Sequence, residues 1–183
     1  MTSLDQIAAM HHPLRRRLLE VLSLDGPATA SQLAGRTDQH VGNISHHLKM
    51  LARAGLVEEA PELARNRRER WWRALDVRLS WSLADVRGDV AGETIATAAE
   101  QNNLAHHVDK VERWFAIRSE YDDDWVRAAY ATESWLRATP AELTELSRRI
   151  TAVIDDFEAS VDTGDGQERE HVFVFAHAVP GRP

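Results

Sequence analysis

Side chains that could hydrogen-bond the edges of DNA bases are concentrated between residues 39 and 49. The amides of Gln39 and Asn43 can pair with adenine, and Ser45 and Lys49 suit phosphate oxygens. A helix that enters the major groove needs short polar groups of this kind near its start. The predicted DNA-contacting set on this helix is Gln39, His40, Gly42, Asn43, Ser45, His46 and Lys49.

Other interpretations of this segment stay open at the level of the sequence. A polar helix face is often only solvated surface, and any one of these residues alone would indicate nothing more. His47 stands next to Leu48 and is as compatible with packing in the core as with DNA contact. The set as a whole favours DNA because a basic hairpin follows it in the chain.

That hairpin carries Arg65, Arg67 and Arg68 in its loop. Guanidinium groups at a hairpin tip can reach a minor groove or straddle a phosphate. Charged loop tips also occur merely because their charges keep a protein soluble. The position of this loop directly after a recognition-type helix favours a DNA-binding wing.

The elements that must position these groups follow from hydrophobic spacing and from turn residues. Ile44, Leu48 and Leu51 recur at i, i+4 and i+7, which predicts a helix that Asp38 or a neighbour should cap and that Gly55 should end. The predicted helices span about residues 4–9, 13–24, 29–35 and 40–54, and the predicted strands span about 56–60 and 69–75. This order is that of a winged helix-turn-helix.

The recognition-type helix resembles that of the arsenical-resistance-repressor (ArsR-like) regulators, whose pattern is Val/Ile-Ser-x-His-Leu-x-x-Leu. Here the segment Ile44–Leu51 reads Ile-Ser-His-His-Leu-Lys-Met-Leu. The resemblance extends back through His12-Pro13-Leu14-Arg15 and forward to Ala74, and it covers about residues 3–78. It implies a winged helix-turn-helix fold and a transcriptional regulator that binds double-stranded DNA.

The sequence predicts two domains, a DNA-binding domain of residues 1–78 and a helical domain of residues 79–183. The second would serve dimerisation and the binding of an unidentified small-molecule effector. Apolar residues on its long predicted helix step by 4, 3 and 4, which is typical of a coiled-coil seam. The predicted dimer interface consists of Leu104, Val108, Val111 and Phe115.

Further features of the second domain are less specific. Thr139-Pro140-Ala141-Glu142 is a strong helix-start signal. Glu133–Ala138 and Val172–Ala178 are expected to be short strands that pair with each other. The aromatic residues of this half are expected to line an effector pocket or, alternatively, to fill a core or dimer interface; they are Trp81, Trp114, Phe115, Trp125, Tyr130 and Trp135.

Composition and charge limit the class of partner. The formal net charge is −7, yet residues 1–78 carry 12 basic and 9 acidic residues while residues 79–183 carry 10 and 20. A basic front and an acidic rear suit a protein that presents one face to phosphate. The chain has no cysteine, no apolar run long enough for a membrane span and no secretory signal. We therefore expect a cytoplasmic protein with no membrane association.

A metal site has to be weighed because regulators of the resembling family often sense metals. His106, His107, Asp109 and Glu112 lie on the long predicted helix. A zinc site needs about three or four protein ligands, and His106 with Asp109 supplies only two. Solvated or packing histidines are the favoured interpretation, so neither a metal nor a cofactor is predicted. No phosphate-binding glycine loop or nucleophile motif indicates an enzyme.

Taken together, the sequence predicts a mainly α protein with an N-terminal winged helix-turn-helix and a helical second domain with one or two short strands. The predicted function is that of a homodimeric repressor that binds a pseudo-palindromic operator. One alternative is a winged-helix module that binds a partner protein. Another is a repressor that responds to a metal held by histidine and carboxylate ligands.

Overall fold

The computed structural model describes residues 4–77 and 83–182. The chain divides into two compact units, Met1–His106 and His107–Pro183. The helices are α1 (Leu4–Met10), α2 (Pro13–Leu24), α3 (Ala30–Thr37), α4 (Val41–Arg53), α5 (Val90–Ile117), α6 (Asp123–Ala128) and α7 (Pro140–Ser160); the strands are β1 (Ala28–Thr29), β2 (Val57–Glu59) and β3 (Trp71–Ala74). The predicted mainly helical fold with an N-terminal winged helix-turn-helix is confirmed.

Local signals in the sequence set the starts of α2 and α3. Pro13 occupies the first turn of α2, where its missing N–H costs nothing, and the His12 side chain accepts a hydrogen bond from the backbone N–H of Leu14. Thr29 and Gln32 form a reciprocal capping box at the start of α3. Two donors that the helix itself cannot satisfy are thereby bonded.

Helix α4 packs on the core through one stripe. Ile44, Leu48 and Leu51 are fully buried, as their spacing predicts. The expected cap at Asp38 is wrong: Asp38 lies in the left-handed region with φ 52° and ends α3 instead. His40 is the N-cap residue of α4, and its imidazole makes no hydrogen bond to the first turn of the helix.

We call residues 4–77 the head. The sheet closes the hydrophobic core of the head. Its order is β1-β3-β2, and both pairings are antiparallel. The predicted hairpin is confirmed as β2 and β3, which pair from Val57 opposite Ala74 to Glu59 opposite Trp72. Trp72 is buried against the helices, whereas Trp71 is only half-buried. Strand β1, which pairs Ala28 with Trp72, was not predicted because two residues show no periodicity.

The predicted strands at Glu133–Ala138 and Val172–Ala178 are wrong. Both segments are described, and neither has regular secondary structure. The alternation of the second segment places Phe173 and Phe175 side by side, and both rings lie against His107 of α5. The side chains thus find a helix to contact, whereas a strand also requires backbone hydrogen bonds to a partner.

The long helix predicted in the second half and the helix predicted to begin at Thr139 are confirmed as α5 and α7. Thr139 caps α7 with a capping box to Glu142, and Asp122 caps α6 by accepting from two backbone N–H groups. The predicted domain boundary, which follows residue 78, lies outside the described residues. Trp81 lies outside them as well. The division between residues 1–78 and 79–183 therefore stays a prediction.

Replacing Gly55 with alanine is expected to destabilise the head by about 1–2 kcal/mol. Gly55 has φ +67°, which an L-residue adopts at a cost, although nothing lies within 4 Å of the point that a Cβ would occupy. Gly35→Ala is the matched control, because Gly35 lies inside α3 with equally open space. That substitution should stabilise by about 0.5–1 kcal/mol. Urea unfolding measures both, and equal effects of the two variants would contradict the argument.

Candidate nucleic-acid interface

Helix α4 presents a polar face opposite its buried stripe. Six of the seven predicted contact residues are exposed and Ser45 is half-buried; the exposed ones are Gln39, His40, Gly42, Asn43, His46 and Lys49. The Asn43 amide donates to the Gln39 side-chain oxygen at 3.2 Å, so the two amides are held side by side. Open space surrounds the position of a Cβ at Gly42, so the backbone is accessible there.

His47 belongs to the core side of the helix. It is 6% exposed, and its ring centroid lies 4.3 Å from that of His12 and 5.4 Å from that of His46. Burial lowers the pKa of His47, and the positive neighbours His12, Arg15 and His46 lower it further. Of the two interpretations of His47 that the sequence leaves open, the structure supports packing.

The loop between β2 and β3, which we call the wing tip (residues 60–70), is fixed through backbone bonds. Its first part is a 3-10 turn at Pro61–Leu63, and the backbone N–H of Arg65 donates to Glu69 at 2.8 Å. The backbone N–H of Arg68 donates to the Asn66 side chain at 3.0 Å. These bonds order the turn and leave the guanidinium groups outside it.

Ion pairing separates the wing arginines into two groups. Arg70 pairs with Glu59 at 3.2 Å, and Arg73 pairs with Glu58 and Glu62. Among the described residues, no carboxylate pairs with the exposed side chains of the predicted set, which is Arg65, Arg67 and Arg68. Arg65, Arg67 and Arg68 therefore keep their full charge available for a ligand. The sequence alone does not distinguish them from the ion-paired Arg70 and Arg73.

Most basic residues of α2 and α3 have structural roles. Arg16 is buried and donates to Asn103 at 3.0 Å, while Arg15 donates to the carbonyl oxygens of Ala8 and Ala9 at the end of α1. Arg36 pairs with Asp25 at 3.0 Å. Arg17 of α2 is exposed, and the other positive charge that a ligand can reach within the described residues of the head lies on the exposed face of α4 and on the wing tip.

The predicted dimer seam lies on the exposed side of α5. Leu104, Val108, Val111 and Phe115 are all exposed in the single chain. The buried residues of the same helix are small and lie on another face: Gly92, Ala96 and Ala99. At about 100° per residue, the centres of these two faces are more than 90° apart around the helix axis.

The histidines of α5 lie in two different environments. His106 Nε2 is 2.6 Å from a carboxylate oxygen of Glu20, and His107 packs against the rings of Phe173 and Phe175. Within residues 4–77 and 83–182, no three histidine or carboxylate side chains are grouped so that they could hold a metal ion. In the same part of the chain, no helix is both long enough and apolar enough to cross a membrane.

Comparison with known proteins supports the architecture of the head. Residues 10–60 match the family of helix-turn-helix domains, which places the match on α2, α3 and α4. No curated protein matches the chain. The segment therefore has the organisation of a helix-turn-helix domain, and the hairpin of β2 and β3, whose second strand follows the matched residues, makes this a winged form.

Two solved structures show a partial likeness to the chain. One is a MarR family transcription regulator, 19% identical, with 86% of this chain and 80% of that chain covered at a TM-score of 0.36. Another is the transcriptional regulator Tm0710 from Thermotoga maritima, 11% identical, with 82% and 80% covered at a TM-score of 0.34.

Proposed function

We propose that this protein is a transcriptional regulator that binds specific DNA sequences through α4 and the wing tip. The observation that carries the proposal is the group of exposed arginines Arg65, Arg67 and Arg68, which lack ion pairs among the described residues while their neighbours Arg70 and Arg73 have them. Unpaired guanidinium groups on an ordered turn are suited to phosphates or to a narrow minor groove.

Base recognition would come from the exposed face of α4. The paired amides of Gln39 and Asn43 offer the donor and acceptor that an adenine edge requires. His40, His46 and Gly42 would adjoin them, with Ser45 and Lys49 directed to phosphates. The buried stripe of α4 holds this face in place, because Ile44, Leu48 and Leu51 fix its rotation about the helix axis.

The active form is proposed to be a homodimer. The seam on α5 is exposed in the single chain, and among the described residues of the unit from His107 onward none is buried. A unit that leaves so many apolar side chains in water gains most when a second copy covers them. A twofold axis would then place two copies of α4 about one DNA turn apart, over a pseudo-palindromic operator.

Repression would follow if the bound dimer occupies a promoter. A small-molecule effector would act by changing the separation of the two α4 helices, which requires different affinities for the two arrangements. In this proposal the protein is an ArsR-like repressor of the cytoplasm.

Selection of genomic fragments by the purified protein tests the proposal. We expect enrichment of one pseudo-palindrome whose half-sites are about 10–10.5 base pairs apart. The combined variant Asn43→Ala, Arg67→Ala should lose this enrichment and keep its helical circular dichroism, because both side chains are exposed. If the unaltered protein enriches no sequence, the proposed function is wrong.

A further inference from the structure

Two histidines that contribute nothing to the proposed DNA contact meet where the start of α2 adjoins α4; His47 is buried and His12 is exposed. The rings of His12 and His47 are tilted by 44° with their centroids 4.3 Å apart. His47 is on the buried stripe of α4, and its Nδ1 has no hydrogen-bond partner among the described residues. His12 is the N-cap residue of α2. The contact therefore links the start of α2 to the helix that is proposed to read DNA.

The role of His12 requires a ring that is not protonated at Nδ1. This nitrogen accepts a hydrogen bond of 3.2 Å from the backbone N–H of Leu14. A proton on Nδ1 would remove the acceptor and so leave the first turn of α2 without its cap. It would also place a positive charge at the positive end of the helix dipole.

The charges that act on His47 are all positive. They come from His12 and Arg15 at the start of α2 and from His46 on α4 itself. The other elements packed on α4 have their charged groups elsewhere: Asp5 of α1 is exposed, Glu20 of α2 contacts His106, Arg36 of α3 pairs with Asp25, and Glu58 and Glu59 of β2 pair with Arg73 and Arg70. Among the described residues, no carboxylate is thus in place to stabilise an imidazolium at His47.

The direction of the pKa shifts agrees with this geometry. Burial lowers the pKa of both His47 and His12 below the ordinary value of 6.5, and Arg15 lowers both further. The unfolded chain then takes up protons before the folded head does as the pH falls. The stability that these two histidines contribute is fully present above about pH 6.5 and is lost as the pH falls through their pKa values in the folded state.

We propose that His12 and His47 are positioning residues that hold α4 in place only while both rings are neutral, so that acidification loosens α4 and weakens DNA binding. The part that concerns DNA rests on the proposed function. The direction is opposite to the one expected from surface charge, because a surface that becomes more positive on acidification attracts phosphates more strongly.

Histidine-labelled full-length protein tests the proposal by NMR. Urea unfolding is followed through the His47 ring resonances at about pH 7.5 and about pH 5.5. The folding equilibrium constant of the unaltered protein should fall on acidification by up to about tenfold for each of the two histidines, because pH 5.5 lies about one unit below their ordinary pKa in the unfolded chain. In His47→Leu, followed through the His12 resonance, the fall should be smaller. In the control His46→Gln, an exposed position, the fall should be nearly as large as in the unaltered protein, because His46 is the smallest of the causes that lower the pKa of His47. An equal fall in His47→Leu and the unaltered protein would overturn the proposal.

Two further measurements keep the result decisive. If His47→Leu does not fold, the His47 ring of the unaltered protein is titrated, and a midpoint at or above pH 6.5 overturns the proposal. The affinity for a fluorescent duplex that carries the enriched palindrome should fall on acidification, and less so in His47→Leu. Tighter binding by the unaltered protein at low pH would count against it. If no palindrome is enriched, the proposed function fails, whereas the NMR result still decides the role of the histidines.

Discussion

Substituting both Arg67 and Arg68 with glutamine is expected to lower the affinity for operator DNA by on the order of 10- to 100-fold at physiological salt. Both side chains are exposed on an ordered turn and have no ion pair among the described residues. Each lost phosphate contact removes about 0.9 from the slope of log affinity against log salt concentration. The proposed homodimer would lose four such contacts, two in each subunit, so the slope should become shallower by about 3.6, which fluorescence anisotropy at several salt concentrations would measure.

The matched control for this prediction is the pair Arg148→Gln, Arg149→Gln. It changes the net charge by the same amount, but both arginines are on α7 and pair with Glu145 at 2.8 Å. The control should leave the affinity and the slope nearly unchanged. If the wing variant behaves like the control, the arginines do not contact DNA. Binding of the unaltered protein that is insensitive to salt would favour a winged-helix module for a partner protein.

The helices of the head were predictable because each carries its signal locally. The stripe of Ile44, Leu48 and Leu51 defines α4, and Gly55 supplies the left-handed residue at its end. The same kind of signal misled at Val172–Ala178, where a period of two is present without a strand. Alternation describes the side chains, whereas a strand depends on a partner that lies elsewhere in the chain.

The candidate site was predictable in position but not in its electrostatics. The sequence indicates a basic loop, yet it does not reveal that Glu58, Glu59 and Glu62 neutralise Arg70 and Arg73. These pairs join residues that are 11 or more positions apart and depend on the register of β2 with β3. A register shift by one residue would turn these side chains to the other face of the sheet.

The orientation of His47 illustrates the same limit within a single helix. Its position three residues after Ile44 is compatible with the buried stripe. Residue type does not indicate whether this histidine or the neighbouring His46 is the buried one. Only the contact with His12, 35 positions earlier in the chain, assigns His47 to the interior. A motif that resembles a known family therefore indicated the helix, and the tertiary contact determined which histidine faces outward.

Placing glutamate at both Val108 and Val111 is expected to convert the protein to a monomer at micromolar concentration. The two valines are about 40% exposed in the single chain, at 41% and 38%, so the substitutions disturb little within one copy. In a twofold interface each substitution occurs twice, so four buried carboxylates would face one another without partners. Affinity for the full palindrome should fall by on the order of 10²- to 10⁴-fold, because each head then binds a half-site alone.

The matched control adds the same charge to α5 off the seam, through Ala105→Glu and Ala116→Glu. Both alanines are exposed, and at about 100° per residue they lie about a quarter turn or more from the centre of the seam. Sedimentation equilibrium should show a dimer for this control and a monomer for the seam variant. If both variants remain dimeric and bind the palindrome equally well, the seam on α5 is not the interface. A monomeric unaltered protein that still selects a palindrome would show that DNA itself brings the two heads together.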